Sequence, residues 1–245
     1  MNKNLPTQIN FGKGNKIEYL YDATGQKVAK TVKADNSSQK TTDYLSGFQY
    51  KNEVLLFFPT AEGYVDNTVL NENNNYSYVY NYSDHLGNIR LNYAKDPKTQ
   101  TLRILEQNHY YPFGLKHENY SSQRFVFVKD DLLVEAQQAV TIKIIGGGGG
   151  GVIVYGENKY KYNGFELQDE LELNWYDYKA RNYDPALGRW MNVDPLAELS
   201  RRYSPYSHAL NNPIFFIDQD EMDEEGFDRV NWGLQGAGAK NITKA

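Results

Sequence analysis

Ile17-Glu-Tyr-Leu-Tyr-Asp22-Ala-Thr-Gly25-Gln-Lys-Val-Ala-Lys-Thr-Val32 is the stretch from which the fold is read. Apolar and polar residues alternate up to Tyr21. Asp22-Ala23-Thr24-Gly25 then has the composition of a tight turn, and alternation resumes from Lys27 to Val32. A period of two on both sides of an Asp-x-x-Gly turn predicts a β-hairpin, because successive strand side chains point to opposite faces. Tyr78-Val-Tyr-Asn-Tyr-Ser-Asp84-His-Leu-Gly87-Asn-Ile-Arg-Leu-Asn-Tyr93 repeats the aromatic run, the turn and the exit strand. Between them, Tyr44–Tyr50 and Val54–Pro59 read as another strand pair, and Tyr110–Gly114 and Tyr160–Gly164 are shorter versions. Units of this kind bury their faces by stacking on neighbours. Their spacing is irregular, so the simplest picture is a hairpin ribbon winding into a larger sheet.

Composition points the same way. The 245 residues include 21 Tyr but only 3 Met and 3 Trp. Tyrosine favours strands and can keep its hydroxyl wet from a half-buried sheet. The net charge of -5 and the lack of long basic runs argue against nucleic-acid binding. No apolar run is long enough for a membrane helix, and Met1–Lys16 lacks the apolar stretch of a signal peptide. There is no cysteine, which removes disulfides, thiol catalysis and cysteine–zinc sites. His85, His109, His117 and His208 have no close metal spacing, so no metal site and no cofactor are expected.

Residues 121–158 break the hairpin pattern. Val126–Ile145 is compatible with strands or with a short helix around Leu132–Ala139, and Gly146–Gly151 follow. The glycine run lacks the Gly-Lys-Ser/Thr of a phosphate loop and reads as a surface insertion. Residues 195–212 are the best helical candidate: Pro195 suits a first turn, and Leu196, Leu199 and Tyr203 have near-helical spacing. Beyond Asp218 the chain turns acidic and then rich in Gly and Ala, which marks a boundary.

Two segments carry a family resemblance. Trp175-Tyr-Asp-Tyr-Lys-Ala-Arg-Asn-Tyr183-Asp184-Pro185-Ala-Leu-Gly188-Arg189-Trp-Met-Asn-Val-Asp194-Pro195 resembles the repeat-associated core of Rhs/YD-repeat proteins. So does Ser204-Pro-Tyr-Ser-His-Ala-Leu-Asn211-Asn212-Pro213-Ile-Phe-Phe-Ile-Asp218, and the upstream Tyr-Asp-x-x-Gly units resemble YD repeats. The tyrosine-rich style is similar to members from Bacteroidetes-type bacteria. The resemblance implies a mostly β fold: a YD-repeat ribbon over 1–120, an irregular insertion over 121–158, an Rhs core with a short helical element over 159–222, and the start of a variable tail over 223–245. Rhs proteins wind their repeats into a hollow shell that the core caps. The shell holds a carboxy-terminal toxin, and many cores cut the chain to release it. The implied partners are the rest of the shell and its toxin or immunity protein, with secretion or the cell surface as the implied location.

The cutting chemistry is degraded here. Acid–base peptide hydrolysis needs two carboxyls sharing a proton. By resemblance, Asp194 corresponds to one catalytic aspartate, but Leu199–Leu210, where the second belongs, holds no Asp or Glu. The cleavage motif reads Asp218-Gln-Asp-Glu-Met222, without the family's proline and glycine, and would be cut before Asp223. The expected role is therefore structural, closing a shell and presenting a carboxy-terminal effector, with enzymatic activity doubtful. An aspartic self-protease releasing the tail after Met222 is one alternative. A surface adhesin whose tyrosine rows bind glycans is another. The polar start suggests a truncated or split reading frame. Asp22, Asp84 and Asp184 are expected as turn formers that accept backbone amides, and Asp194 as either a turn residue or a remnant of the catalytic pair.

Overall fold

The computed structural model describes residues 5–34, 39–70, 73–96, 99–121, 124–128, 132–136, 141–143, 151–153, 158–195, 197–198, 202–218 and 227–229. Its body is an antiparallel meander of β1 (Gln8–Gly12), β2 (Asn15–Tyr21), β3 (Lys27–Lys33), β4 (Lys40–Leu45), β5 (Phe48–Lys51), β6 (Val54–Thr60), β7 (Gly63–Leu70), β8 (Asn73–Ser83), β9 (Ile89–Lys95) and β10 (Leu102–Gln107), each paired with the next. Each successive pair is antiparallel, as the repeated hairpin signals require.

The two quoted repeats superpose in register. Tyr21 pairs with Lys27 and Ser83 with Ile89, and in both hairpins the register shifts just before that pair. The first aspartate accepts the same amides in each. Asp22 Oδ1 accepts Thr24 N and Gln26 N at 2.8 and 2.9 Å, and Asp84 Oδ1 accepts Leu86 N and Asn88 N at 3.0 Å each. Gly25 and Gly87 have φ +81° and +78°, which an L side chain resists.

One face of the meander is closed over an apolar cluster of Leu56, Phe57, Tyr64, Val79, Ala94 and Leu105. The other leaves Leu20, Tyr78, Tyr82 and Ile104 exposed. On β2 and β8 alternation thus separates a packed face from a wet one, whereas β7 is buried on both faces from Tyr64 to Thr68.

The remaining chain forms β11 (Arg124–Val128), β12 (Leu132–Ala136), β13 (Thr141–Lys143), β14 (Gly151–Ile153), β15 (Glu166–Gln168), β16 (Trp175–Asp177), β17 (Asn182–Asp184), β18 (Arg189–Trp190), β19 (Phe216–Asp218) and β20 (Phe227–Arg229). β11 and β12 pair with each other, so residues 132–136 are strand and not helix. β14 joins the large sheet at β7, through Val152–Leu70 and Ile153–Val69, beyond the last β6 partner at Asp66. β15–β18 form a separate four-stranded sheet, which together with the flanking residues of 159–195 makes up the core unit, and β19 pairs with β20.

Two expectations are corrected. Tyr44–Tyr50 is not one strand: it turns at Ser46 and Gly47, both at positive φ, so its two halves are β4 and β5. The expected helix over 195–212 does not form among the described residues there. Pro195, Ala197 and Glu198 lie in turns, and the one helical element is a 3-10 turn at Ala209–Asn211. Positive φ at Ala209, Leu210 and Asn211 is incompatible with a right-handed helix, and side-chain packing from the core unit selects this turn over local spacing. The glycine run lies outside the described residues except for Gly151, which opens β14.

Candidate functional site

The residues singled out from the sequence converge on the core unit. Its strands are two or three residues long, too short for backbone ladders alone to hold them. Side chains do it instead. Tyr162, Tyr176, Tyr178, Tyr183 and Trp190 form one buried cluster. The Tyr183 ring meets Trp190 edge-on at 5.4 Å and lies 16° from parallel to Tyr162 at 6.2 Å. Each phenol is satisfied: Tyr162 donates to Pro112 O, Tyr183 to Phe113 O and Tyr176 to Gly114 O. The Tyr110–Gly114 turn is thereby bound into the core unit. A Cβ on Gly114 would stand 2.5 Å from the Tyr162 ring, so only glycine fits there.

Around this cluster the motif residues have structural work. Asp184 Oδ1 accepts Ala186 N and Leu187 N, shaping the turn to Gly188, over which Phe113 packs. Pro185 is buried, and Arg189 is an exposed strand residue opposite Asp184 with a bridge to Ser207. Asn211 N and Asn212 N donate to His208 O and Ala209 O, closing the left-handed turn, and Pro213 is buried behind it. Trp190 N donates to Tyr206 O, which with the Arg189–Ser207 bridge sets residues 206–207 beside β18.

Asp194 sits at the edge of this cluster. Its backbone N donates to Pro205 O and its carbonyl accepts Ala197 N, a turn geometry continuing into the exposed Pro195. Its Oδ2 accepts Arg181 Nη1 at 2.9 Å. Arg181 is buried, with its guanidinium 4.3 Å from the Trp190 ring centroid. A buried guanidinium needs a counter-charge, and Asp194 supplies it. His208 is buried against the same rings. Burial, with Arg181 adding to it, pushes its imidazole down to about 3, so it stays neutral at ordinary pH. Asp194 is therefore paired with a buried cation. Asp218 ends β19, whereas Met222 and Asp223 lie outside the described residues.

The sequence reading missed a second constellation, where the meander meets the core unit. Glu166 of β15 is gripped between Lys27 (2.7 Å) and Lys30 (2.9 Å) of β3. Lys27 also reaches Asp177 at 2.5 Å, Lys30 reaches Glu170 at 2.9 Å, and Lys159 ties Asp169 to Glu170. Tyr44 donates to Glu166 Oε1 at 2.7 Å, and Tyr19 to Gln168 at 2.7 Å. Burial alone would raise the Glu166 carboxyl, but Lys27 and Lys30 outweigh it and hold it far below the usual carboxylate range. Burial likewise opposes charge on Lys27 and Lys30, yet Glu166 keeps both well above an ordinary lysine. The one sequence hint is Lys30, which alternation places on the packed face of β3. Its partner, across more than a hundred residues, has no local signal.

A second buried pair, Lys161 with Glu106 at 2.7 Å, joins the core unit to β10. Between the meander and the core unit lies a cavity of about 840 Å³, bordered by Thr24, Gln26, Lys27, Tyr64, Gly87 and Asp177. Among the described residues no cluster of His, Asp and Glu could hold a metal, and no helix is long and apolar enough to cross a membrane.

No protein-family model matches the chain. It is 28% identical over 230 residues to salivary gland surface protein 1 of Aedes aegypti, a match that takes in 84% of this chain and 6% of that protein. Among solved structures, TcdB2-TccC3-TEV and TcdB2-TccC3 share its fold at TM-scores of 0.59 and 0.56, with 18% and 17% identity. The Photorhabdus luminescens Tc holotoxin pore does so at 0.54 and 17%. Each of the three aligns over 91% of this chain and 10% of its own. The likeness at these identities is one of fold. The chain spans a tenth or less of the length of these proteins.

Proposed function

We propose that the chain is a segment of an Rhs/YD-type shell together with its core, and that its role is structural: closing a β shell and presenting the segment that follows. The observation that carries this reading is the seam. A hairpin meander is joined to a compact aromatic unit through buried ion pairs and turn-to-turn contacts, in a chain whose fold is similar to TcdB2-TccC3 over 91% of its length. In this reading residues 1–120 are ribbon, 121–158 an insertion, 159–222 the core and 223–245 the start of a variable tail. The partners are the rest of a shell and its toxin or immunity protein. The location is outside the producing cell, in keeping with toxin-complex neighbours and a relative named as a surface protein.

Asp194 in this reading neutralises Arg181 and does not cut the chain. Intact mass of the purified chain beside an Asp194→Asn variant tests this. Both are expected to stay whole. Loss of Asp223–Ala245 from the wild type alone would establish a self-cleaving core and overturn the structural role of Asp194.

A second reading rests on β8, where Tyr76, Tyr78 and Tyr82 stand exposed on one face. Such a row is able to stack on sugar rings, as a glycan-binding adhesin requires. A glycan array decides it: binding that does not differ between saccharides removes this reading.

A further inference from the structure

Of the two Asp-x-x-Gly turns, one is docked against a companion. At the Asp84 turn the companion is the Asn163–Gly164 corner of the core unit. Asn163 N donates to Asn88 Oδ1 at 2.9 Å, and Asn163 Nδ2 donates to Leu86 O at 2.7 Å. Ile89 N donates to Lys161 O at 3.0 Å. A Cβ at Gly87 would make only ordinary contact with the Asn163 backbone at 3.6 Å, so it is the turn's φ of +78° and not the close approach that calls for glycine. Tyr178 fixes the corner by donating to Asn163 Oδ1 at 2.6 Å. The Gly114 and Gly188 turns are covered too, by the Tyr162 and Phe113 rings.

The Asp22 turn has the same geometry. Asp22 N donates to Gln26 O at 2.9 Å and Gly25 N to Asp22 O at 3.0 Å, matching Asp84 N to Asn88 O at 3.0 Å and Gly87 N to Asp84 O at 2.9 Å. Position by position, Thr24 stands for Leu86, Gly25 for Gly87 and Gln26 for Asn88. The difference is in what covers them. Leu86 and Asn88 are buried under the core unit, whereas Thr24 and Gln26 are exposed. Thr24, Gly25 and Gln26 border the 840 Å³ cavity, and Gly87 and Gly164 of the occupied pair border it as well. Its volume lies within the range of about 300–1,000 Å³ usual for ligand sites.

We propose that the Asp22–Lys27 turn and the cavity behind it are a docking site for a tight peptide turn with an Asn-Gly corner, contributed by a partner polypeptide. The occupied copy defines the chemistry. The asparagine amide seeks the Thr24 carbonyl, its backbone N–H seeks the Gln26 side-chain carbonyl, and the glycine supplies the positive φ that the corner takes at Gly164. Gln26 is one methylene longer than Asn88, so its acceptor reaches further into the cavity. Aromatic neighbours of the incoming corner would meet Tyr21 and Tyr64 on the cavity wall.

The probe is a cyclised, fluorescein-labelled peptide containing Tyr-Lys-Tyr-Asn-Gly-Phe-Glu, the sequence of residues 160–166. It is titrated against the full chain by fluorescence anisotropy. Saturable binding is expected. It should weaken about tenfold in a Gln26→Ala chain, the loss of one neutral acceptor, and vanish when the peptide's asparagine is replaced by alanine. Gln26 is exposed, so the variant should fold, and circular dichroism checks that it has. No saturable binding to the folded wild type overturns the proposal. So does binding that either change leaves untouched. Self-cleavage of the chain, which would defeat the structural reading above, has no bearing on this result.

Discussion

The meander and the core unit use the same tyrosine-rich composition in opposite ways. In the meander, long hairpins carry the order. Each strand pairs with its sequence neighbour, one face is packed, and Tyr76, Tyr78 and Tyr82 of β8 remain exposed on the other. In the core unit the strands are too short to order themselves, and Tyr162, Tyr176, Tyr178 and Tyr183 are buried with their hydroxyls anchored on loop carbonyls or on Asn163. Tyrosine is tolerant where the backbone ladder already holds the chain. It is demanding where side chains must replace the ladder, because a buried phenol needs a partner of its own.

The largest break in this contrast is expected from Tyr183→Ala. It removes a fully buried ring and strands Phe113 O, at a cost of about 4 kcal/mol. Tyr78→Ala on the exposed face of β8 should stay within about 0.5 kcal/mol. Urea denaturation of both chains measures the difference. Equal losses would mean that the core unit is no more dependent on side chains than the meander.

The seam between the two regions comes next. Glu166→Gln leaves Lys27 and Lys30 without their shared carboxylate, and breaking such a buried arrangement costs about 3 kcal/mol. The expected readout is core-unit amides (residues 159–195) losing hydrogen-exchange protection before β6–β9. Uniform loss across both would make the two regions one cooperative unit.

Acid sharpens the same seam. Burial would raise the Glu170 carboxyl, but Lys30 and Lys159 outweigh it and bring it down to about 2. Because the folded chain favours the ionised form, the stabilisation is present above the ordinary value of 4.5 and is lost as pH falls through about 2. It is on the order of 2 kcal/mol at neutral pH. Glu170→Gln should lower the denaturation midpoint at pH 7 and match the wild type near pH 2. A loss that is the same at both pH values would assign the effect to packing.

The smallest effects separate the two repeat turns. Asp84→Ala removes acceptors for Leu86 N, Asn88 N and Arg90, beneath the docked core unit, and should cost about 1–2 kcal/mol. Asp22→Ala cuts a similar set of turn bonds in an open, hydrated turn and should lower thermal stability less. Equal thermal shifts would show that the docked Asn163 corner adds nothing to the Asp84 turn.

Legibility followed the range of the interactions. The hairpins at Asp22 and Asp84 were readable because alternation and turn chemistry are local. The split of Tyr44–Tyr50 was not, since Ser46 takes a left-handed turn that its residue type does not announce. The helix expected over 195–212 is absent from the described residues there for the same reason in reverse. The apolar spacing is helical, but His208 packs on Trp190 and Tyr183 and the chain beside it turns left-handed at Ala209–Asn211. Asp194 was identified as a residue of interest, while its specific pairing with Arg181 emerged only from the packing, as did the neutral, buried state of His208.

What the sequence by itself determined is therefore a β chain built from Asp-x-x-Gly hairpins, because period two and turn geometry are written between near neighbours. What only the tertiary structure decided is which turns are covered and which charges are buried. Glu166 meets Lys27 and Lys30, and Asn163 meets the Asp84 turn, only after the meander has formed a face for the core unit to close on. Contacts across such sequence separations depend on that whole face and leave no periodic trace in the residues that make them.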